Sequence, residues 1–141
     1  MKKLILTVAI SAIMTTVAFA DKIVAPETLP QEAKAFIEAN FKGATATYVE
    51  KEFNQYDVQL SDGTDIDFNG KGEWKSIEAR TNPLPASVIP APVAATVSKT
   101  HPQAAIMKIE KENGGYEVKL NNMMELIIGN DGTLKGQKID D

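Results

Sequence analysis

The sequence predicts an α+β protein made of two tandem copies of one unit, a helix followed by a four-stranded antiparallel meander. Three observations carry that prediction. The chain aligns with itself at an offset of sixty residues, without a gap. Short stretches within each copy alternate apolar and polar residues with a period of two, the mark of half-buried strands. Glycine, asparagine and aspartate recur between those stretches, where tight turns need them.

The self-alignment sets Tyr56 on Tyr116, Pro30 on Pro90, Ala35 on Ala95 and Glu50-Lys51-Glu52 on Glu110-Lys111-Glu112. Val58 falls on Val118, Leu60 on Leu120 and Gly72 on Gly132. A single register kept this far indicates a duplication, and a repeat has to be found before a fold is assigned.

Residues 1–20 read as a secretory signal peptide. Lys2-Lys3 form a basic start, Leu4 to Val17 is largely apolar, and Ala18-Phe19-Ala20 is a small-x-small cleavage motif. The mature chain is expected to begin at Asp21, with cleavage near Ala20 and a periplasmic or secreted location. No second long apolar segment follows, so membrane insertion is not expected. The formal net charge is −4 for the whole chain and −6 once Lys2 and Lys3 are removed. That balance argues against nucleic acid as a partner. The sequence has no cysteine, so stability rests on burial without disulfides.

Within the mature chain, 21–28 is expected to be a loose leader, 29–81 the first repeat, 82–88 a proline-rich linker and 89–141 the second repeat. Leu29-Pro30 opens the first helix, with proline early in the first turn. Ala33, Phe36, Ile37 and Phe41 form its apolar stripe. Ile89-Pro90 opens the second helix, with Val93 and Val97 on the matching stripe and His101 at its end.

A strand from about Ala44 to Phe53 follows, with Thr45, Thr47 and Val49 on one side and Tyr48, Glu50 and Glu52 on the other. Ala105, Met107 and Ile109 are the expected inward set of its second copy. Asn54-Gln55 is expected to turn the chain into the next strand, where Tyr56, Val58 and Leu60 point inward and Asp57 and Gln59 outward. After Asp62-Gly63, Ile66 and Phe68 point inward and Asp65 and Asp67 outward. A fourth strand lies near Glu73 to Ile77. Joined edge to edge, the two meanders make one sheet of about eight strands, which leaves few exposed edges.

Leu29-Pro30, Tyr56-Asp57-Val58-Gln59-Leu60, Asp62-Gly63, Asp65-Ile66-Asp67-Phe68 and Gly72-Glu73-Trp74 together resemble the periplasmic PepSY-like proteins grouped with beta-lactamase inhibitory protein. Ile89-Pro90 and Tyr116 to Gly132 echo the pattern. The resemblance implies one curved sheet with helices on one side and a concave face left free. In the inhibitor that names the group, that face grips an enzyme. Fold alone does not transfer that role.

Candidate chemistry is sparse. Asp65-x-Asp67-x-Asn69-Gly70 begins like a calcium loop of the EF-hand type, but its twelfth position is Ser76 where that loop needs a bidentate Glu. The motif reads instead as two outward aspartates on a strand, followed by an Asn-Gly turn. His101 stands without a second histidine, and no multi-histidine or thiol metal site exists. No catalytic constellation, cofactor or metal is expected, and an enzyme is the least favoured class.

The outer face is acidic. Tyr48, Glu50, Asp57, Asp65 and Asp67, with Glu117 and Glu125 from the second copy, are the candidate partner-binding residues. Two readings stand side by side. One is a polar face kept wet for solubility. The other is a docking surface for a protein, basic by charge complementarity, that the chain binds or inhibits in the cell envelope. A small-ligand or cation carrier using the same carboxylates is the alternative, and a structural envelope protein a third.

Overall fold

The structure is a computed structural model and describes residues 22–140. The signal-peptide motif and the expected cleavage near Ala20 lie outside the described residues. A single antiparallel sheet of nine strands holds the chain together, and the strands sit side by side in the order in which they occur in sequence.

Strand β1 (Lys22–Ile23) precedes helix α1 (Gln31–Asn40), and strands β2 (Ala46–Glu52), β3 (Gln55–Leu60), β4 (Asp65–Asn69) and β5 (Trp74–Glu78) follow. Helix α2 (Ala91–Thr100) then leads into β6 (Ile106–Glu112), β7 (Gly115–Leu120), β8 (Met124–Gly129) and β9 (Leu134–Ile139). Short 3-10 turns at Pro26–Thr28 and Ala86–Val88 lead into the two helices.

The expectation of about eight strands and a loose leader is corrected. Lys22 and Ile23 pair with Lys51 and Glu50, so the leader adds a ninth strand and partly covers the edge of β2. The linker also packs: Leu84 and Val88 are buried, and the Leu84 N–H donates to the Ile106 carbonyl at 2.9 Å.

Register partners on antiparallel strands point to the same side of a sheet. Val49, Val58, Ile66, Ile77, Ile109, Val118 and Leu126 are successive partners across β2 to β8, and none is more than 1% exposed. This apolar row is the floor of the core. Ala33, Ile37 and Phe41 of the first helical segment and Val93 and Val97 of α2 close over it from one side. Phe36 meets Phe68 edge to face at 5.9 Å.

Both helices are also held from their starts. Gly72 (φ +89°) and Gly132 (φ +90°) sit in the β4–β5 and β8–β9 turns. A Cβ added at Gly72 would lie 2.8 Å from the Ala33 nitrogen, and one at Gly132 would lie 2.9 Å from the Pro92 oxygen. The Thr96 hydroxyl donates to the Gly132 carbonyl as well.

The first strand of each copy departs from simple alternation. A bulge lies between Ala46 and Tyr48, and another between Ile106 and Lys108. Ala46 and Ile106 therefore turn inward opposite Leu60 and Leu120, and the inward placing of Thr45, Thr47, Ala105 and Met107 is corrected. The extra residue shifts the parity, as bulges do. Past the bulge Tyr48 and Glu50 face outward as expected. The first hairpin turns at Phe53 and Asn54 rather than at Asn54-Gln55, because Gln55 already pairs with Glu52.

Candidate functional site

Two rows of partners run across the side of the sheet that the helices leave open. The first is Glu50, Asp57, Asp67, Ser76, Glu110, Glu117, Ile127 and Gly136. The second is Tyr48, Gln59, Asp65, Glu78, Lys108, Lys119, Glu125 and Lys138. From β2 to β5 these rows hold Glu50, Asp57, Asp65, Asp67 and Glu78 and no lysine or arginine. From β6 to β9 they hold Glu110, Glu117 and Glu125 matched by Lys108, Lys119 and Lys138. The negative charge is thus concentrated on one half of the open face.

That half carries a depression of about 300 Å³, lined by Tyr48, Glu50, Asp57, Gln59, Asp65, Asp67, Ser76, Glu78 and Lys108, with Val58 beneath. Five of the predicted site residues, Tyr48, Glu50, Asp57, Asp65 and Asp67, meet there. Glu117 and Glu125 do not join them. They lie beyond β6, and Glu125 is buried beneath Lys138, whose ammonium is 3.7 Å from its carboxylate. Lys119 is held by Asp140 at 3.1 Å. The second half of the face is therefore largely neutralised by its own lysines.

Sequence reasoning missed Glu78, Ser76 and Lys108. Carrying the alternation of β5 one residue further and pairing it with Asp65 and Asp67 would have found Glu78 and Ser76. Lys108 leans toward the depression from β6 and touches Glu78 and Glu110 at 3.8 and 3.9 Å.

Electrostatics inside the depression follow from crowding. Asp57 and Asp67 are direct register partners, so their carboxyls converge. Burial first, then the hydrogen bond and charge of Asp57, push Asp67 up to about 7, against the weaker pull of Lys108 and Lys75. Burial also raises Asp65, with Arg80 opposing and Glu78 adding to the rise. Asp57 is oriented by Gln55, whose amide donates to it at 2.8 Å, and Lys75 in turn donates to Gln55 at 3.2 Å. In the other half, a hydrogen bond with Glu125 is the main cause raising Glu117.

The remaining motifs have structural roles. Asn69 Oδ1 accepts from the Lys71 and Glu73 amides at 3.0 Å each, which makes the end of the EF-hand-like motif a turn. His101 caps α2, with its ring nitrogens 2.9 Å from Gln137 Oε1 and 3.3 Å from Asn122 Nδ2. Trp74 packs on the helix side against the core, stacks on Tyr116 at 6.5 Å and lies beneath Lys111 at 4.1 Å. One further carboxylate group exists on the open face: oxygens of Glu110, Glu112 and Glu117 lie within 4.8 Å of one another. Among the described residues no helix is long and apolar enough to cross a membrane.

The chain is similar to several solved bacterial structures. A DUF2874-family protein from Bacteroides vulgatus, described as a "putative periplasmic protein", shares 28% identity at a TM-score of 0.79, covering 86% of this chain and 98% of its own. A protein from Bacteroides thetaiotaomicron, described as a "putative calcium-regulated periplasmic protein", shares 29% identity at a TM-score of 0.77, covering 84% and 96%. A second protein from Bacteroides vulgatus, described as of unknown function, shares 27% identity at a TM-score of 0.79, covering 84% and 98%. No curated protein matches the chain. The profile of the beta-lactamase-inhibitor-like, PepSY-like family matches residues 14–62 and 54–136. The chain belongs to that PepSY-like family.

Proposed function

We propose that this protein is a non-catalytic binding module of the periplasm that docks a positively charged protein on the open face of its sheet. The observation that carries the reading is the charge asymmetry of that face. A sheet face kept polar only for solubility needs no bias between its halves. Here one half gathers five carboxylates around a depression, while the other matches acid with lysine. Concentrated charge of one sign steers and orients an oppositely charged partner. Tyr48 adds an amphipathic ring at the rim, a side chain suited to interfaces. The periplasmic placing draws support from the signal-like N-terminal sequence and from the descriptions of the related Bacteroides proteins.

The test is capture from envelope extract with matched variants. Asp57→Lys/Asp65→Lys/Asp67→Lys should abolish capture of a partner that the native protein holds. Glu110→Lys/Glu117→Lys should retain it. Equal loss in both, or retention in both, would remove the acidic half as the docking site.

A cation-binding role is a second reading, favoured by the convergence of Glu110, Glu112 and Glu117 and by the description of the Bacteroides thetaiotaomicron relative. Three carboxylate ligands fit the oxygen preference of calcium. Under this reading calcium raises the melting temperature by mass action, and Glu117→Gln removes the rise.

A further inference from the structure

The two copies of the repeat differ at the outer edge of their first strand. In the second copy that edge is paired from Glu110 back to Ile106. Ser76, Ile77 and Glu78 of β5 oppose Glu110, Ile109 and Lys108. Beyond β5 the Ala79 N–H donates to the Met107 carbonyl at 2.7 Å, and the Leu84 N–H to the Ile106 carbonyl at 2.9 Å. In the first copy, Lys22 and Ile23 oppose Lys51 and Glu50, and the Val24 N–H donates to the Val49 carbonyl at 2.9 Å. The chain then turns away through Pro26–Thr28, and among the described residues the pairing on this edge goes no farther. Ala46 and Thr47, sixty residues before Ile106 and Met107, lie beyond that point.

The backbone of this open stretch is set for pairing. Both first strands carry the same bulge in the same register: Ala46 opposes Leu60 and Tyr48 opposes Gln59, as Ile106 opposes Leu120 and Lys108 opposes Lys119. The Ala46 and Thr47 carbonyls therefore take the direction of the Ile106 and Met107 carbonyls, toward the edge. A bulge commonly blunts an exposed edge. The bulge in β6 is nevertheless paired, so its twin in β2 gives no such protection.

Beside the open stretch, on the helix side, lies a groove of about 430 Å³ floored by Leu29, Ile37, Phe41, Ala44 and Ala46. Small residues help to make it, since Gly43 and Ala46 stand where the second copy has Gln103 and Ile106. Its rim balances Glu27 and Glu38 against Lys34 and Lys42. On the other side of the same strand, Tyr48 and Glu50 border the acidic depression. A strand added to β2 alternates its side chains between these two surfaces.

We propose that the start of β2 and the groove beside it form a strand-addition site for an extended segment of the partner, one that alternates aliphatic and cationic side chains. Backbone N–H groups of the segment donate to the Ala46 and Thr47 carbonyls. An aliphatic side chain enters the groove, and the cationic residue next to it lies by Tyr48 and Glu50. The edge and the groove stand on the comparison of the two copies; the cationic half of the pattern rests on the docking reading above.

The probes are the peptide acetyl-Lys-Leu-Lys-Leu-Lys-amide and its counterpart with Glu for every Lys, followed by amide NMR and calorimetry on the whole protein. The Lys peptide should shift the amides of residues 44–48, and the Glu peptide should bind about tenfold more weakly. Ala46→Ile, which installs the residue that the second copy already carries, should weaken the Lys peptide about tenfold by filling the groove. Alternate N–H groups of an added strand face the sheet. Of two N-methylated peptides, one blocked at the leucines and one at the lysines, one should therefore lose binding and the other keep it. Absence of shifts at 44–48 with both probes overturns the site. Binding of the Lys peptide that neither Ala46→Ile nor N-methylation weakens also overturns it and leaves the docking reading standing. Equal binding of both probes at 44–48 keeps the edge and groove but overturns the cationic pattern and the docking reading with it. Oligomers of the protein alone that Ala46→Ile dissolves would assign the edge to a second copy and overturn the partner segment.

Discussion

Ile77 of β5 and Ile109 of β6 are register partners, both without exposed surface, at the line where the two meanders become one sheet. The apolar row continues through them without interruption. Ile77→Ala or Ile109→Ala should cost about 2–5 kcal/mol, the usual range for emptying a buried branched side chain. Because the row is shared, denaturant unfolding should stay a single transition with a lower midpoint. Two resolved transitions would show that the halves are separate cooperative units.

Gly72 and Gly132 should each resist substitution. Alanine there meets a left-handed backbone and a contact with the first turn of a helix at once. The expected loss is about 1–3 kcal/mol for the backbone alone, with further loss as the helix start is pushed away. Ala at Gly43 faces open space despite its φ of +83°, so its cost should come from the backbone term only. Comparing the three by thermal denaturation separates the two contributions.

The pH dependence of stability follows from Asp67. Its carboxyl is raised in the folded state, so the folded chain holds a proton that the unfolded chain has released. The stability gained from that proton is fully present below the unfolded value near 4. It is lost as pH rises through about 7. Asp67→Asn should therefore raise the melting temperature by a few degrees at pH 8 and change little at pH 4, a size consistent with ~1 kcal/mol in a domain of this length. A variant less stable than the native protein at pH 8 would contradict the crowding of the pair.

Glu125 gives the opposite case, a buried carboxylate under a lysine. Lys138→Ala should destabilise the protein by up to about 1 kcal/mol, since it removes the 3.7 Å ion-pair partner of a buried carboxylate but the lysine itself is exposed. Glu125→Gln in the same background should recover most of the loss. Failure of that rescue would mean that Lys138 acts through packing of its stem.

Much of the architecture was legible because period-two alternation survives wherever one face of a strand is dry. Tyr56, Val58 and Leu60, then Ile66 and Phe68, alternate cleanly and are all buried. Strand β1 was not legible, since Lys22 and Ile23 are too few to show a period and become a strand only by lying against β2. The bulge at Ala46–Tyr48 was hidden for a related reason. Ala and Thr differ too little in polarity to mark which one turns inward. At the candidate site, parity placed Asp57, Asp65 and Asp67 outward, and the structure gathers them. The burial of Glu125 depended on Lys138 lying across it from β9, a pairing across strands that alternation within one strand does not reveal.

The sheet keeps its strands in the order of the chain, and this shapes how the protein comes together. Six hairpin pairings, three in β2–β5 and three in β6–β9, are closed by a few intervening residues each, so their loop-closure entropy is small. The β5–β6 pairing spans the linker and α2, and it is the one contact within this series that must await a longer excursion. Topologies dominated by such local pairings fold faster than sheets of the same size with distant partners. Each hairpin can add to the edge left by the one before it, and the longest loop to be closed among β2–β9 is the one that brings Ile109 against Ile77.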